Sequence, residues 1–324
     1  MAPRQGLSLA PGENGLQAAK IRIGTRGSPL ALAQAREVSR CLAEAHGLGE
    51  DTCEVVVIRT SGDRIVDGPL AEAGGKGLFT KEIEEALGRG EIDLAVHSMK
   101  DMPTVLPEGL AIGATLKRED PRDAFISVKF RSIDGMPAGS VVGTSSPRRQ
   151  AQLKRLRPDI EVAGLRGNVE TRLRKLGEGA ADAVVLACAG LNRLGLAHRI
   201  TMAIPIDVML PAVAQGAIGI EIRSADHRTA ELVTPLNHEP TALCTTAERA
   251  FLTRLEGSCR TPVAGHAGLQ SGAIEFRGMT LSPDGRQCFI AKRNGPAHEA
   301  AAIGADAAEE LLAQGALAFL GRSP

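Results

Sequence analysis

Short β-branched or aliphatic runs alternate along most of the chain with stretches whose apolar residues recur at helical spacing, which predicts α/β architecture. Ile21 to Ile23 reads as a strand, followed by the turn Gly24-Thr25-Arg26-Gly27-Ser28-Pro29. Ser28 can cap a helix that begins at Pro29, where a missing N–H costs nothing, and Gly47 ends that helix after His46. The device recurs: Val141 and Val142 lead into Gly143-Thr144-Ser145-Ser146-Pro147 and a further helix. A second echo is sharper. Leu87-Gly88-Arg89-Gly90-Glu91-Ile92-Asp93-Leu94-Ala95-Val96 matches Leu176-Gly177-Glu178-Gly179-Ala180-Ala181-Asp182-Ala183-Val184-Val185 without a gap at Leu, both glycines, Asp and the final Val. In each copy a helix ends at glycine and the chain enters a buried strand.

Two echoes in the same order predict two related lobes. Turns from strand to helix lie at the carboxyl ends of parallel strands, where α/β sheets bind ligands. Each Ser-Pro turn presents free N–H groups and the positive end of a helix dipole, so two facing lobes would clamp an anion. After about Glu239 the pattern changes. A helix from about Thr241 to Glu256 stops at Gly257, and strands follow at Val263 to Leu269, Ala273 to Leu281 and Cys288 to Lys292. Ser282-Pro283-Asp284-Gly285 makes the turn between the last two, and an alanine-rich helix from about Ala297 to Gln314 closes the chain. This is a third, smaller α+β domain with an antiparallel sheet, and Pro235 to Pro240 is its predicted boundary.

Composition narrows the function. The chain has 324 residues, long for one domain, with 7 Phe and no Trp or Tyr, so its core is built from Ala, Leu, Val and Ile. Aromatic stacking of bases is thereby disfavoured. With 38 basic and 38 acidic residues no global field draws nucleic acid or anionic membrane, and any anion site must be local. The six cysteines form no C-x-x-C pair and the histidines no ligand pair, which predicts a reduced protein with no metal. Met1 to about residue 19 reads as a disordered tail without a signal-peptide run, and Met202 to Ile222 is interrupted by Pro205, Asp207 and Pro211, so the expected address is cytoplasmic.

The local charge is between Arg148 and Lys175, where nine basic residues face Asp159, Glu161 and Glu170. Lys154, Arg155, Arg157, Arg174 and Lys175 read as a solvated helix face. Arg148, Arg149 and Arg166 follow directly on strand ends and are expected to look into the cleft, and Asn168 can cap the helix bearing Arg172. Guanidinium grips carboxylates bidentately, so a polycarboxylate or phosphate ligand is indicated.

Several motifs then carry a resemblance. GTRGSPLALAQ (Gly24 to Gln34), Ser61-Gly62-Asp63, GGKGLFTKEIE (Gly74 to Glu84), HSMKDMP (His97 to Pro103), GTSSPRRQ (Gly143 to Gln150), RGNVETRLRKL (Arg166 to Leu176), AGLNRLG (Ala189 to Gly195), PAVAQGAIGIE (Pro211 to Glu221) and LEGSC (Leu255 to Cys259) resemble the porphobilinogen deaminases, in that family's order, over roughly residues 20 to 265. The last sixty or so residues match only loosely. Ser258 stands where glycine is more usual, Pro147 where leucine is common, and Glu72 where lysine is frequent.

The resemblance implies three domains, the first two like periplasmic-binding-protein lobes with crossing hinges. These would be residues 20–116 with 217–234, then 117–216, then 239–324 for cofactor attachment. It implies a transferase that joins four porphobilinogens into hydroxymethylbilane, for porphyrin and heme biosynthesis, releasing ammonia at each step. The primer would be a dipyrromethane cofactor, held as a thioether on Cys259. Each ring carries an acetate and a propionate, so chain growth keeps adding carboxylates that need cationic partners once desolvated. By similarity Arg26, Ser28, Lys100, Arg148, Arg149, Arg166, Arg172 and Arg193 hold them, with Thr144, Ser145 and Ser146 adding donors and Ser98, Gly167, Gln215 and Gly216 completing the set. Asp101 matches the catalytic aspartate that stabilises a pyrrolic cation and shuttles protons. Asp63 and Lys76 are candidates for a mobile loop, and His97 reads as a packed strand-end residue. A monomer is expected, with no nucleic-acid or membrane partner. A two-lobed cleft alone would also fit a non-enzymatic module for a polycarboxylate, but such receptors carry neither a signal-less start nor a cysteine-bearing third domain.

Overall fold

A computed structural model describes residues 20–64, 78–257 and 261–320. The chain opens with strand β1 (Ile21–Thr25), helix α1 (Pro29–His46), strand β2 (Cys53–Val57), short helix α2 (Ser61–Arg64), helix α3 (Lys81–Gly88) and strands β3 (Leu94–Ser98) and β4 (Leu110–Thr115). It then builds a second sheet from β5 (Asp123–Ile126), β6 (Val141–Gly143), α4 (Pro147–Leu156), β7 (Glu161–Ala163), α5 (Val169–Gly177), β8 (Ala183–Ala187), α6 (Cys188–Arg193) and β9 (Met202–Ala203). Strand β10 (Ile218–Arg223) returns to the first sheet, and helix α7 (His227–Val233) follows.

The two sheets share one plan. The first runs β2-β1-β3-β10-β4 and the second β7-β6-β8-β5-β9. In each, three parallel strands are followed by one that runs antiparallel to both neighbours. The aligned aspartates explain the echo in the sequence. Asp93 N donates to Arg22 O at 2.9 Å while Arg22 N donates to Asp93 Oδ2 at 2.8 Å. Asp182 does the same with Val141, at 2.9 Å each way. Each aspartate thus starts the third strand in the order of its sheet and fastens it to the adjacent second one, β3 to β1 and β8 to β6. The capped turns are equivalent too: Ser28 Oγ accepts from Ala31 N at 3.2 Å and Ser146 Oγ from Arg149 N at 3.5 Å, each with proline in the first turn. Gly47 takes φ of 63° to end α1, as its position demands.

Helix α8 (Glu239–Arg254), strands β11 (Val263–Gln270), β12 (Ala273–Leu281) and β13 (Cys288–Pro296), and helix α9 (Ala300–Ala313) make the third body, with an antiparallel β11-β12-β13 sheet. Its core contains Phe251 and Phe276, with ring centroids 5.0 Å apart, and many alanines. Small residues let α8 and α9 touch backbone to backbone: a Cβ on Gly304 would lie 1.9 Å from Ala247 O. Two boundaries differ from the sequence reading. Pro240 lies in the first turn of α8, because His238 caps that helix by accepting from Thr241 N at 3.3 Å. Strand β13 continues to Pro296, paired with Ala273, beyond the expected end at Lys292.

One buried carboxylate ties this body to both segments that cross between the sheets. Glu248 is fully buried, and its oxygens accept from Arg118 Nη1 and Nη2 at 2.6 and 3.1 Å, from Ala214 N at 2.5 Å and from Ala267 N at 2.8 Å.

If the aspartate clasp is what fastens β8 to β6, Asp182→Ala should lower the unfolding free energy by about 1–2 kcal/mol, the scale of a half-buried hydrogen bond to a charged group. Urea titration of wild type and variant measures this, and an unchanged midpoint would remove the clasp from the account.

Candidate active site

In the first lobe, β3 runs into a tight turn, Met99–Asp101, pinned on either side by the buried side chains of Met99 and Met102. Gly219 on β10 makes room for Met99, since a Cβ there would lie 2.9 Å from Met99 Cγ. Asp101 is therefore held out on a fixed turn, exposed at the rim. A small hollow beside it is lined by Arg26, Ser28, Gln34, Phe79, Ser98 and Asp101, among others. The Arg26 guanidinium sits 4.1 Å from the centre of the Phe79 ring, a cation–π contact, and Gln34 Nε2 donates to Ser98 Oγ at 2.9 Å.

In the second lobe the sequence reading needs correction. Arg148 and Arg149 do not stand open in the cleft: they are 4% and 5% exposed, turned onto the fully buried Asp123. Arg148 Nη1 donates to Asp123 Oδ2 and to Leu210 O, both at 2.7 Å. Arg149 reaches Asp123 Oδ1 through Nε at 3.0 Å and Nη2 at 2.7 Å, and gives Nη1 to Val185 O at 3.0 Å. Burial pushes the Asp123 carboxyl up, but the two guanidiniums outweigh it and hold the group well below the usual carboxylate range. Burial lowers Arg148 despite the pull of Asp123. Nothing local in the sequence announces Asp123, because its partners lie 25 and 26 residues away.

Gln215 connects this cluster to the first lobe. It is buried, donates through Nε2 to Asp123 Oδ1 at 2.9 Å and Pro121 O at 2.7 Å, and accepts through Oε1 from Lys100 Nζ at 3.4 Å. Burial pushes the Lys100 ammonium down to about 8, against the attraction of Asp101. Arg172 is likewise pushed down to about 10 by burial and by Arg149, again opposed by Asp101. Asp101 thus lies within the field of one cation from each lobe.

The remaining candidates divide. Thr144 is buried and its Oγ1 accepts from Ser146 N at 3.3 Å. Arg166 is half-buried on the turn before Gly167, whose φ is 116° and where a Cβ would meet Thr171 Cγ2 at 2.5 Å. Asn168 caps α5 as expected, accepting from Thr171 N at 2.8 Å. Arg193 crosses between lobes: Nε donates to Glu37 Oε2 on α1 at 2.9 Å and Nη1 to Gly216 O at 3.1 Å. Gly216 has φ of 91°, and a Cβ there would fall 2.4 Å from Glu119 O. His97 is packed, as read, 3.0 Å from the buried Glu221. Arg157 is not a solvated residue: it binds Ile133 O and Met136 O at 2.7 Å each and pairs with Asp159. Lys154, Arg155 and Arg174 are exposed.

Cys259 and Lys76 lie outside the described residues, as do Glu72 and Ser258, and the side chain of Asp63, on α2, is not described. Burial raises the thiols of Cys188 to about 12 and Cys244 to about 11, and also raises Cys41 and Cys288, which makes all four poor nucleophiles. Among the described residues no His/Cys/Asp/Glu group could hold a metal ion, and no helix is long and apolar enough to cross a membrane. A larger hollow of about 560 Å³ lies at the edge of the second lobe, between residues 126–131 and 198–201, and contains none of the candidate residues.

Residues 21–231 match the family model described as porphobilinogen deaminase, dipyromethane cofactor binding domain, and residues 242–313 match the porphobilinogen deaminase C-terminal domain. A porphobilinogen deaminase of Paracoccus denitrificans is 58% identical over 291 residues, covering 90% of this chain and 93% of that one. One from Nitrobacter hamburgensis is 56% identical over 289 residues, covering 89% and 92%. Among solved structures, a periplasmic substrate-binding protein of an ABC transporter from Coxiella burnetii overlaps 71% of this chain and 96% of its own, at 16% identity and a TM-score of 0.41. A putative methionine-binding lipoprotein of Bacillus subtilis overlaps 67% and 88%, at 13% identity and a TM-score of 0.41. This chain belongs to the porphobilinogen deaminase family.

Proposed function

We propose that the space between the two lobes is where this chain joins four porphobilinogens head to tail into a linear tetrapyrrole, releasing one ammonia at each addition. One observation carries the reading. Among the described residues, Lys100, Arg148, Arg149 and Arg172 converge at the cleft floor against two carboxylates, Asp101 and Asp123, and burial destabilises the charge on Lys100, Arg148 and Arg172. Desolvated cations in surplus call for anionic ligands, and pyrroles bearing acetate and propionate supply them.

The residues fit a dipyrromethane group. Arg148 Nε, Arg172 Nε, Arg193 Nη2 and Ser145 Oγ are buried without a partner among the described residues, so four donors remain for carboxylates. Arg26, Ser28, Lys100, Arg148, Arg149, Arg166 and Arg172 would hold the group and the growing chain, with Thr144 and Ser146 shaping the turn between them. When bound, dipyrromethane supplies the pyrrole α-carbon to which the first porphobilinogen is joined. We assign its attachment to Cys259. The described thiols raised by burial are poor candidates for that bond.

Asp101 is assigned the chemistry. It is exposed at the rim of the hollow, close enough for its charge to act on Lys100 and Arg172. As the aminomethyl C–N bond breaks and ammonia leaves, positive charge spreads onto the pyrrole nitrogen, and a fixed carboxylate nearby stabilises it. The proton lost from the α-carbon after C–C bond formation has the same carboxylate as acceptor. Arg193, tied to Glu37 and Gly216, is assigned to holding the lobes in register while one of its donors faces substrate.

Two measurements test these assignments. Purified wild type should weigh two pyrrole units more than its sequence, and Cys259→Ala should lose that mass; an unmodified, fully active wild type would end the assignment. Asp101→Asn should stay folded and carry pyrroles, yet lose at least about a hundredfold in kcat, the scale of a general acid–base or electrostatic group. Near-normal turnover in that variant would reassign the role.

A further inference from the structure

Asp123 occupies an unusual place. It begins β5 in the second lobe, is fully buried, and among the described residues is one of two carboxylates set against the cluster of cations at the cleft floor. Its two oxygens accept from Arg148 Nη1, Arg149 Nε, Arg149 Nη2 and Gln215 Nε2, all within 3.0 Å. Those donors come from two different segments: the first turn of α4 and the turn in the crossing segment that leads to β10. Leu210 O and Val185 O take further guanidinium N–H groups and fix the planes of the two arginines. Gln215 is the bridge outward, since its amide nitrogen is spent on Asp123 and Pro121 O, which turns its oxygen toward Lys100. A continuous polar chain therefore runs from the second lobe, through a crossing segment, to the residue beside Asp101.

We propose that Asp123 is a positioning residue for the reaction: its carboxylate fixes the Arg148 and Arg149 guanidiniums at the cleft floor and, through Gln215, sets the Lys100 ammonium next to Asp101. The inference rests on the reading of the cleft as a site for carboxylate-bearing pyrroles. It also makes a prediction of unexpected sign. If Asp123 were only a counter-ion, removing its charge would leave the site more positive and better at holding an anionic ligand. As a positioning group, its removal frees two guanidiniums to turn toward other carbonyls, and loading falls although the site gains charge. The charged groups acting on Lys100 are Asp101 on its own turn and, from the second lobe, Arg149, Asp123 and Arg148. Loss of Asp123 takes away one of the two attractions that favour the ammonium, so Lys100 should titrate lower.

The test compares wild type with Asp123→Asn and Asp123→Glu, all purified as full chains. Intact mass reads the fraction carrying pyrroles, thermal unfolding reads the fold, and acetic anhydride labelling of Lys100 across pH reads its ionisation. Asp123→Asn is expected to load at least about tenfold less and to show half-labelling of Lys100 at lower pH than the pyrrole-free Cys259→Ser protein. Asp123→Glu keeps the charge balance that the fold needs but shifts the carboxylate by one methylene. It is expected to fold with a Tm near that of wild type and still to load poorly, which keeps the proposal testable should the asparagine variant not fold. Undiminished loading in either folded variant, or unchanged Lys100 titration in Asp123→Asn, would overturn the proposal. Absence of pyrroles from wild type itself would instead overturn the reading of the cleft.

Discussion

Two guanidiniums and one carboxylate share a water-excluded floor, and the charge imbalance there organises the rest of the site. Asp123 compensates Arg148 and Arg149 well enough for them to be buried, but not completely. Lys100 and Arg172 add to the excess from opposite lobes, and both titrate below their ordinary values because burial opposes their charge. Asp101, outside this dry layer, meets the field of both. A fold that concentrates cations in this way stores an unfavourable electrostatic state, which an anionic ligand relieves. The cost must be met elsewhere, and the shared sheets, the clasps of Asp93 and Asp182 and the buried Glu248 node are where the structure holds itself together.

Duplication gives the cleft its symmetry, and divergence gives it chemistry. Both lobes use a strand, a serine cap and a proline to aim backbone N–H groups at the cleft. In the first lobe the third strand ends in the Asp101 turn, whereas in the second it passes into α6 and delivers Arg193 back to α1. One lobe thus contributes the exposed carboxylate, and the other contributes most of the positive charge.

What the sequence made legible was local. Ser28 and Ser146 before proline, Gly47 at a helix end and Asn168 before α5 each act on residues within four positions, so their roles follow from spacing. The match between Leu87–Val96 and Leu176–Val185 exposed the duplicated plan because the same aspartate clasp constrains both copies. The interior of the site was not legible. Asp123 and Glu248 draw partners from segments up to 92 and 130 residues away, and neither belongs to a pattern that betrays burial. For that reason Arg148 and Arg149 looked like open cleft residues and Arg157 like a solvated one, when all three are turned inward onto carboxylates or carbonyls.

The central claim is that the cleft carries desolvated positive charge that bound pyrrole carboxylates relieve, and Lys100 reports on it directly. The decisive measurement is its titration midpoint, followed by NMR of a reductively methylated lysine in pyrrole-loaded wild type and in pyrrole-free Cys259→Ser. The account predicts a midpoint of about 8 without pyrroles. Loading should raise it by about one unit or more, the direction that carboxylates nearby impose on an ammonium. The same midpoint in both proteins, or a lower one after loading, would contradict it.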